Sequence, residues 1–482
     1  MDARPKESHP QSDTRFAEWM ATALDRQIEA GKALETEAIH DLRVALRRSL
    51  AMAEAFVALD PDPAWREMRR QGHRLFKPLG RLRDVQVLKE WVKRIDPAEG
   101  PLARAVLDRL EENERDEQRA VRKALGRFSR RRWKLWAGHL PSRAARLPLD
   151  GAAAEYLAVE QWERAYGLHR KAARSGSLAA FHRARIGLKK FRYAVENFLP
   201  ATGVDWVETL KAMQDTLGEV HDLDLLRRMA TSRSLAAGAD ERRKWKRQIA
   251  ALISERVRAY RAKMSGRRSQ WLAWRKQLPQ DSELASAALA WLEVWASFLT
   301  PDPAHARHVA KLSLELYDQV AAEGLGGAQP GERMRRVLEI AALAHDVGRA
   351  RGARSHHKRS YRMISALKTP LGWSPEEIQL AALVARYHRR ALPQLNQAAF
   401  ARLRPDRRQK VVLLAGILRL ANAFDQRHDA SVRSLRASVA RDAIEIHAGG
   451  YTGAEPGASR IASARHLFEI ACKRPVAVLP GA

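Results

Sequence analysis

The chain has 482 residues, with 86 Lys and Arg against 56 Asp and Glu, a formal net charge of +30, and 45% apolar residues. That length supports two or three domains with cores of their own, and the charge selects polyanionic partners, bound less tightly as salt rises. One cysteine, Cys472, excludes a disulfide framework or a thiolate zinc site within one chain.

Residues 1–14 are polar, lack the apolar segment of a secretory signal and are expected to be disordered. From 15 to 275 the pattern is nearly continuous amphipathic helix rich in Ala, Leu, Arg and Glu. Within it HDLRVALRR, from His40 to Arg48, returns as HRARIGLKKFRY, from His182 to Tyr193. Each copy sets a histidine and two cations at i, i+3 and i+7, which share one helix face at ~100° per residue. An apolar arc, Ile39, Leu42 and Leu46 or Phe181, Ala184, Leu188 and Val195, runs beside each stripe and places it at the edge of a buried face. LGRLRDVQVL (Leu79 to Leu88) matches LGEVHDLDLL (Leu217 to Leu226) downstream. A break near Pro141, Pro148 and Gly151 separates the copies, 15–145 and 152–275, each read as a bundle of about four helices. A twofold relation between such copies brings the two stripes together.

The segment 276–284, around LPQDSEL, reads as a linker to a second helical domain over 285–430, interrupted by the breaker GLGGAQPG, Gly324 to Gly331. Over 431–482, AIEIHAG and PVAVL read as short strands flanking a helix, His466 to Lys473, a small α+β appendage. The fold class is therefore mainly α. No run approaches the ~18 apolar residues of a membrane helix, so a cytoplasmic protein without a membrane partner is expected.

Like charges stacked at helical spacing weaken a helix unless a polyanion lies across them. Arginine offers a planar fork to phosphate oxygens, lysine a point charge, and histidine a donor that strengthens on protonation. The candidate anion-binding residues are His40, Arg43, Arg47, Arg48, His182, Arg185, Lys189, Arg192 and Tyr193. Few aromatics are interleaved for base stacking, which disfavours nucleic acid relative to a bare phosphate chain. The duplicated H-x-x-R-x-x-x-[RK] helix with its LG-x-x-x-D companion resembles the CHAD family, the conserved-histidine α-helical domains. That resemblance, over 15–275, implies two pseudo-symmetric four-helix bundles around a basic cavity that binds inorganic polyphosphate, and polyphosphate granules are one expected location of this protein. The first stripe departs from the family in having Leu50 where an arginine is common.

The second constellation lies in the C-terminal half: His305 in HARHVAKL, His345 and Asp346 in EIAALAHDVG, His388 in ARYHRR and Asp425 in LRLANAFD. Imidazoles with carboxylates suit a divalent Mg, Mn, Fe or Ni ion that polarises a phosphoryl group. Together with HHKRSYRMI, these segments resemble the HD metal-dependent phosphohydrolase fold, above all the C-terminal helical domain of the exopolyphosphatase/guanosine-pentaphosphatase family. The resemblance implies His305, His345, Asp346 and Asp425 as the metal set, and His356, His357 and His388 as holders of a second metal or of phosphate. Asp346, Arg359 and His388 are the expected catalytic residues, and Arg359, Lys358, Arg389 and Arg390 are expected to contact phosphate. Arg359 replaces a histidine usual in that family, and the glycine-rich nucleotide-fold domains that carry exopolyphosphatase chemistry there have no counterpart here. The expected function is polyphosphate binding joined to metal-dependent hydrolysis of polyphosphate or of a phosphorylated nucleotide such as a guanosine polyphosphate. The alternative is a non-enzymatic polyphosphate adaptor with a structural or sensory HD-like domain.

Overall fold

The structure, a computed structural model, describes residues 14–32, 34–231, 238–441, 443–453 and 457–481. It divides into two units, Met1–Gln280 and Asp281–Ala482. The N-terminal stretch expected to be disordered lies, through residue 13, outside the described residues, and Thr14 opens the first helix.

In the first unit α1 (Thr14–Lys32), α2 (Thr36–Leu59), α3 (Pro63–Ile95), α4 (Pro101–Arg127) and α5 (Arg130–Ala144) make up one copy of the repeat. The second copy comprises α6 (Ala152–Ser175), α7 (Leu178–Phe198), α8 (Val204–Ala230), α9 (Ala239–Met264) and α10 (Gln270–Lys276). Each copy is thus four long helices closed by a fifth, shorter one. The helices start where the sequence supplies acceptors for their free N–H groups: Asp62 caps α3 ahead of Pro63, and Ser177 caps α7. Pro141 does not end α5 but lies buried within it, and the break falls at 145–151. Packing of Trp133, Trp136 and Leu140 outweighs the one hydrogen bond a proline removes.

Aromatic rings fill both cores. Phe16 and Phe56 stack on Trp65 at 5.7 and 4.7 Å in the first copy, and Phe191 and Trp271 meet Trp274 at 5.7 and 5.4 Å in the second. Burying one such side chain stabilises the fold by about 1.5–3 kcal/mol. Across the repeat, equivalent helices pair, α2 with α7 and α3 with α8, as a twofold relation requires. At Gly187, α7 approaches α6 so closely that a Cβ would lie 3.1 Å from the Ala165 Cα.

In the second unit α12 (Pro303–Ala322), α13 (Glu332–Ala344), α15 (Pro375–Arg386) and α17 (Pro405–Phe424) pack together. α11 (Asp281–Leu299) lies on α13, α14 (His356–Ser365) on α15, and α18 (Gly457–Cys472) on α17; α16 is a single turn, Ala398–Ala401. α11 begins inside the segment read as a linker. The appendage has three strands: β1 (Ser434–Ala440) runs antiparallel to β2 (Ala443–Gly449), and β2 runs parallel to β3 (Val476–Gly481). β1 has little apolar alternation, and Leu435 is its one fully buried residue, which is why its sequence does not announce a strand. Among the described residues no helix is long and apolar enough to cross a membrane.

Candidate functional site

In the first unit the packing of α2 on α7 sets the basic arcs face to face. Arg47 of α2 and Lys189 and Arg192 of α7 surround the Tyr193 ring, with their charged groups 5.5, 5.9 and 5.1 Å from its centroid. The Nε atoms of Arg43, Arg47 and Arg185 are buried without a hydrogen-bond partner among the described residues. Burial, reinforced by Arg185, Arg47, Arg43 and Arg192, brings the Lys189 ammonium down to about 8. Two carboxylates share this field, Asp84 of α3 and Asp222 of α8, the aspartates that end the two LG-x-x-x-D segments. Burial pushes both upward, Asp222 to about 6, against the pull of Arg185 and its neighbours. The motif was the signal for them, although helical spacing of cations alone does not reveal it.

Three residues chosen by spacing lie elsewhere. His40 is exposed. Arg48 lies over the Trp19 ring of α1 at 5.2 Å. His182 turns to α8, its Nδ1 3.1 Å from Nδ1 of His221, in a cavity of about 290 Å³ shared with Arg183, Asp224 and Arg228. Burial and then Arg185 hold His182 below the ordinary imidazole value. Leu50 is buried in the core.

In the second unit five helix ends converge. Asp302 caps α12 by accepting from the His305 amide at 3.0 Å; His345 and Asp346 follow the end of α13, His356 starts α14, His388 follows α15 and Asp425 ends α17. His345, His356 and His388 each direct Nδ1 at a carbonyl three residues back, Ala342, Ala353 and Ala385, at 2.6, 2.9 and 2.7 Å. Those contacts fix the proton on Nδ1 and leave each Nε2 a lone pair. His356 Nε2 lies 3.0 Å from Asp346 Oδ1 and 3.2 Å from His388 Nε2. Acceptors held this close repel unless a cation lies between them. His345 Nε2 and Asp346 Oδ1 are buried without a hydrogen-bond partner among the described residues.

The donor atoms form two groups with metal-ligand spacing, His305 with His345 and Asp346, and Asp346 with His356 and His388, so that Asp346 belongs to both. Burial pushes the Asp346 carboxyl up, but His345, His356, His388 and Arg349 outweigh it and hold the group well below the usual carboxylate range. Burial likewise lowers His345 and His388. Asp425 stands outside both groups: Oδ2 lies 2.7 Å from His305 Nδ1 and Oδ1 accepts from the Ala430 amide, so it orients His305. His357 also contributes to neither group. Arg359 is spent on the backbone, donating to the carbonyls of Gly348 at 2.9 Å and of Gly352. Ser360 completes this clamp, donating to the His345 carbonyl and accepting from the Gly348 amide. A Cβ at Gly348 would lie 2.3 Å from the His356 carbonyl oxygen, so only glycine fits the turn behind Asp346.

Residues 17–231 match the family model described as the CHAD domain, and residues 295–448 match that of the Ppx/GppA phosphatase, domain III. The chain joins a CHAD domain to a Ppx/GppA domain III. The crystal structure of the CHAD domain from the plant Ricinus communis is similar to it at 23% identity, over 57% of this chain and 96% of that one, with a TM-score of 0.35. No curated protein matches it.

In domain III the metal-type cluster opens into a cavity of about 420 Å³ walled by Arg349, Arg389, Arg390, Arg419 and Arg460. Arg349 Nε sits 2.9 Å from Asp346 Oδ2. Arg419 donates to the Arg390 carbonyl at 2.5 Å, while its Nη1 is buried without a partner among the described residues; burial lowers this guanidinium, and no carboxylate offsets the effect. His428 stacks on His305 at 3.8 Å and lies 2.8 Å from Asp302. Arg389 and Arg390 were legible beside His388 in the sequence. Arg419, Arg460 and His428 were not, because they reach the cavity from helices and loops far along the chain.

Proposed function

We propose that the CHAD domain binds inorganic polyphosphate along the α2–α7 channel, and that domain III is a metal-dependent phosphohydrolase of the HD type acting on a phosphoanhydride or phosphoester. One observation carries the enzymatic reading: three imidazoles locked with their Nε2 lone pairs turned toward one shared carboxylate, beneath a wall of arginines. Neutral imidazole nitrogen with carboxylate oxygen and no thiolate fits Mn, Fe or Ni, and His305, His345, Asp346, His356 and His388 would hold one or two such ions. A divalent ion in such a site supplies Lewis acidity toward a phosphoryl group.

The chain's own residues do the rest. Arg419 and Arg349, one short of partners and one already beside Asp346, orient and neutralise phosphate oxygens; Arg389, Arg390 and Arg460 extend that grip to the next phosphate. Asp425 accepts from His305 Nδ1 and so orients the ring, which leaves Nε2 as the nitrogen that would face an ion. His428, at the rim and hydrogen-bonded to Asp302, is placed to hold a proton near a leaving oxygen. Arg359 acts as a positioning residue that keeps the turn behind Asp346 in shape.

The test is long-chain polyphosphate run on a gel after incubation with manganese-loaded protein, wild type against Asp346→Ala. Shortening by wild type alone, with equal chain retardation by both, supports the proposal. Retardation without cutting by wild type refutes hydrolysis of polyphosphate and favours the adaptor. Loss of retardation in Asp346→Ala refutes the separate binding channel.

A further inference from the structure

A cavity of about 940 Å³ lies between α3, α4 and α5, in the first copy of the repeat. It is a different face of α3 from the channel. Arg70 and Arg74 line the cavity, whereas Phe76, Arg83 and Asp84 face the Lys189 and Arg43 side. At ~100° per residue Phe76 and Arg83 point roughly opposite to Arg70 and Arg74, with Asp84 between the two sets.

The seam between α3 and α4 changes character along its length. At one end opposite charges zip it: Arg81 to Glu117 at 2.7 Å and Lys89 to Glu114 at 3.0 Å. At the other end Arg70 and Arg74 of α3 oppose Lys123 and Arg127 of α4, with Arg132 of α5 beside them and a single carboxylate, Glu67, in the lining; none of the five cations makes an ion pair among the described residues. Ala120 and Ala124 hold that end of the seam open. Like charges across a seam cost free energy unless an anion bridges them.

The repeat supplies an internal control. α3 and α8 share one buried register, Met68, Leu75, Leu79 and Leu82 matching Trp206, Met213, Leu217 and Val220. At the same offset Arg70 becomes Glu208 and Arg74 becomes Ala212. The scaffold therefore does not require these cations, and they are a feature of one copy. Beneath the rim the floor is apolar, built from Leu75, Pro78, Phe128 and Trp136. A bare phosphate chain has nothing to set against such a floor. A cationic rim above an apolar floor fits a ligand with phosphates at one end and a flat apolar body at the other, and the volume is in the range of small-molecule sites.

We propose that this groove is a second anion site of the CHAD domain and that it takes a nucleoside polyphosphate. The test is calorimetric titration of the full chain with ATP and with inorganic tripolyphosphate. In the channel variant Arg43→Ala/Arg47→Ala, where tripolyphosphate has lost the site proposed for a phosphate chain, ATP should bind at least tenfold more tightly than tripolyphosphate. The affinity for ATP should fall at least tenfold in Arg74→Glu/Arg127→Glu and in the charge-neutral, groove-filling Ala124→Phe, and should hold in the channel variant Arg43→Ala/Arg47→Ala. Circular dichroism melts confirm that each variant is folded. Equal affinity of the channel variant for the two anions, retention of ATP by both folded groove variants, or its loss in the channel variant would overturn the proposal. None of these outcomes bears on hydrolysis by domain III.

Discussion

Replacing Lys189 by methionine should make the free protein more stable and a poorer binder of polyphosphate. The ammonium of Lys189 is held among Arg43, Arg47, Arg185 and Arg192, and falls from the ordinary 10.5 to about 8. At ~1.36 kcal/mol per pKa unit, a protonated Lys189 burdens the fold by about 3 kcal/mol at neutral pH. Relaxation of the neighbouring side chains and loss of the lysine's own packing reduce the gain expected from Met to about 1–2 kcal/mol. Methionine preserves the unbranched stem against Phe76 and Tyr193. For a unit of this size that gain is a rise of roughly 2–8 °C in melting temperature. The sign follows from a depressed lysine pKa: the penalty is full below about 8, shrinks between about 8 and 10.5 as the folded state releases its proton first, and vanishes above. Thermal melts of wild type and Lys189→Met at pH 7 and pH 9.5, paired with polyphosphate retention on a gel, read both arms. The stability gap should narrow at the higher pH, and retention should weaken in the variant. A variant less stable at pH 7, or one that retains polyphosphate as wild type does, refutes the idea that the channel stores uncompensated charge for an anion.

The same lysine predicts proton uptake. A bound polyanion raises its pKa from about 8, so binding measured at pH 8.5 in buffers of different ionisation enthalpy should show protons taken up, and Lys189→Arg should abolish the buffer dependence. Manganese should raise the melting temperature of domain III in wild type and leave Asp346→Asn unmoved, since Asp346 belongs to both ligand groups; an equal rise in both would remove Asp346 from the metal set. Gly348→Ala should destabilise domain III by about 2–4 kcal/mol in urea titration, because the added methyl meets the His356 carbonyl, and a change under 1 kcal/mol would contradict that packing.

The duplicated motif made the first unit legible because it fixed helix phase twice, and the pairing of α2 with α7 then follows from twofold symmetry. Helical phase failed at its margins. Arg48 sits one step off the stripe and found Trp19; His40 sits at the open end and stays in solvent; His182 met a histidine that its own helix does not encode. Asp84 and Asp222 were in plain view in both LG segments, yet their place among the cations depends on α3 and α8 packing beside the stripes. In domain III the HD, HH and YH segments were visible as letters. That one carboxylate would serve two histidine groups, and that Asp425 would serve His305, depends on five helix ends meeting, which no single periodicity records. The arginines of α17 and α18 were hidden for the same reason.

The chain is well able to pair its half-buried cations. Arg143 lies 2.6 Å from the fully buried carboxylate of Asp60, Arg256 is 2.8 Å from Glu219, and Arg407 is 2.8 Å from Glu376. Against that practice, Arg43, Arg47 and Arg185 in the channel and Arg419 in the domain III cavity make no ion pair among the described residues, although each has a buried nitrogen without a hydrogen bond. A net charge of +30 explains an excess of arginine on the surface but not its retention in recesses, where desolvation is opposed only in part, by Asp84 and Asp222 in the first unit and by no carboxylate at Arg419. Such positions persist when a ligand supplies the missing charge, and phosphate, with its dense negative charge and forked oxygens, matches the guanidinium in both recesses. The two recesses differ in what stands beside the arginines: two aspartates with raised pKa values in the first, where binding alone is proposed, and an imidazole–carboxylate cluster in the second, on which the proposal of hydrolysis rests.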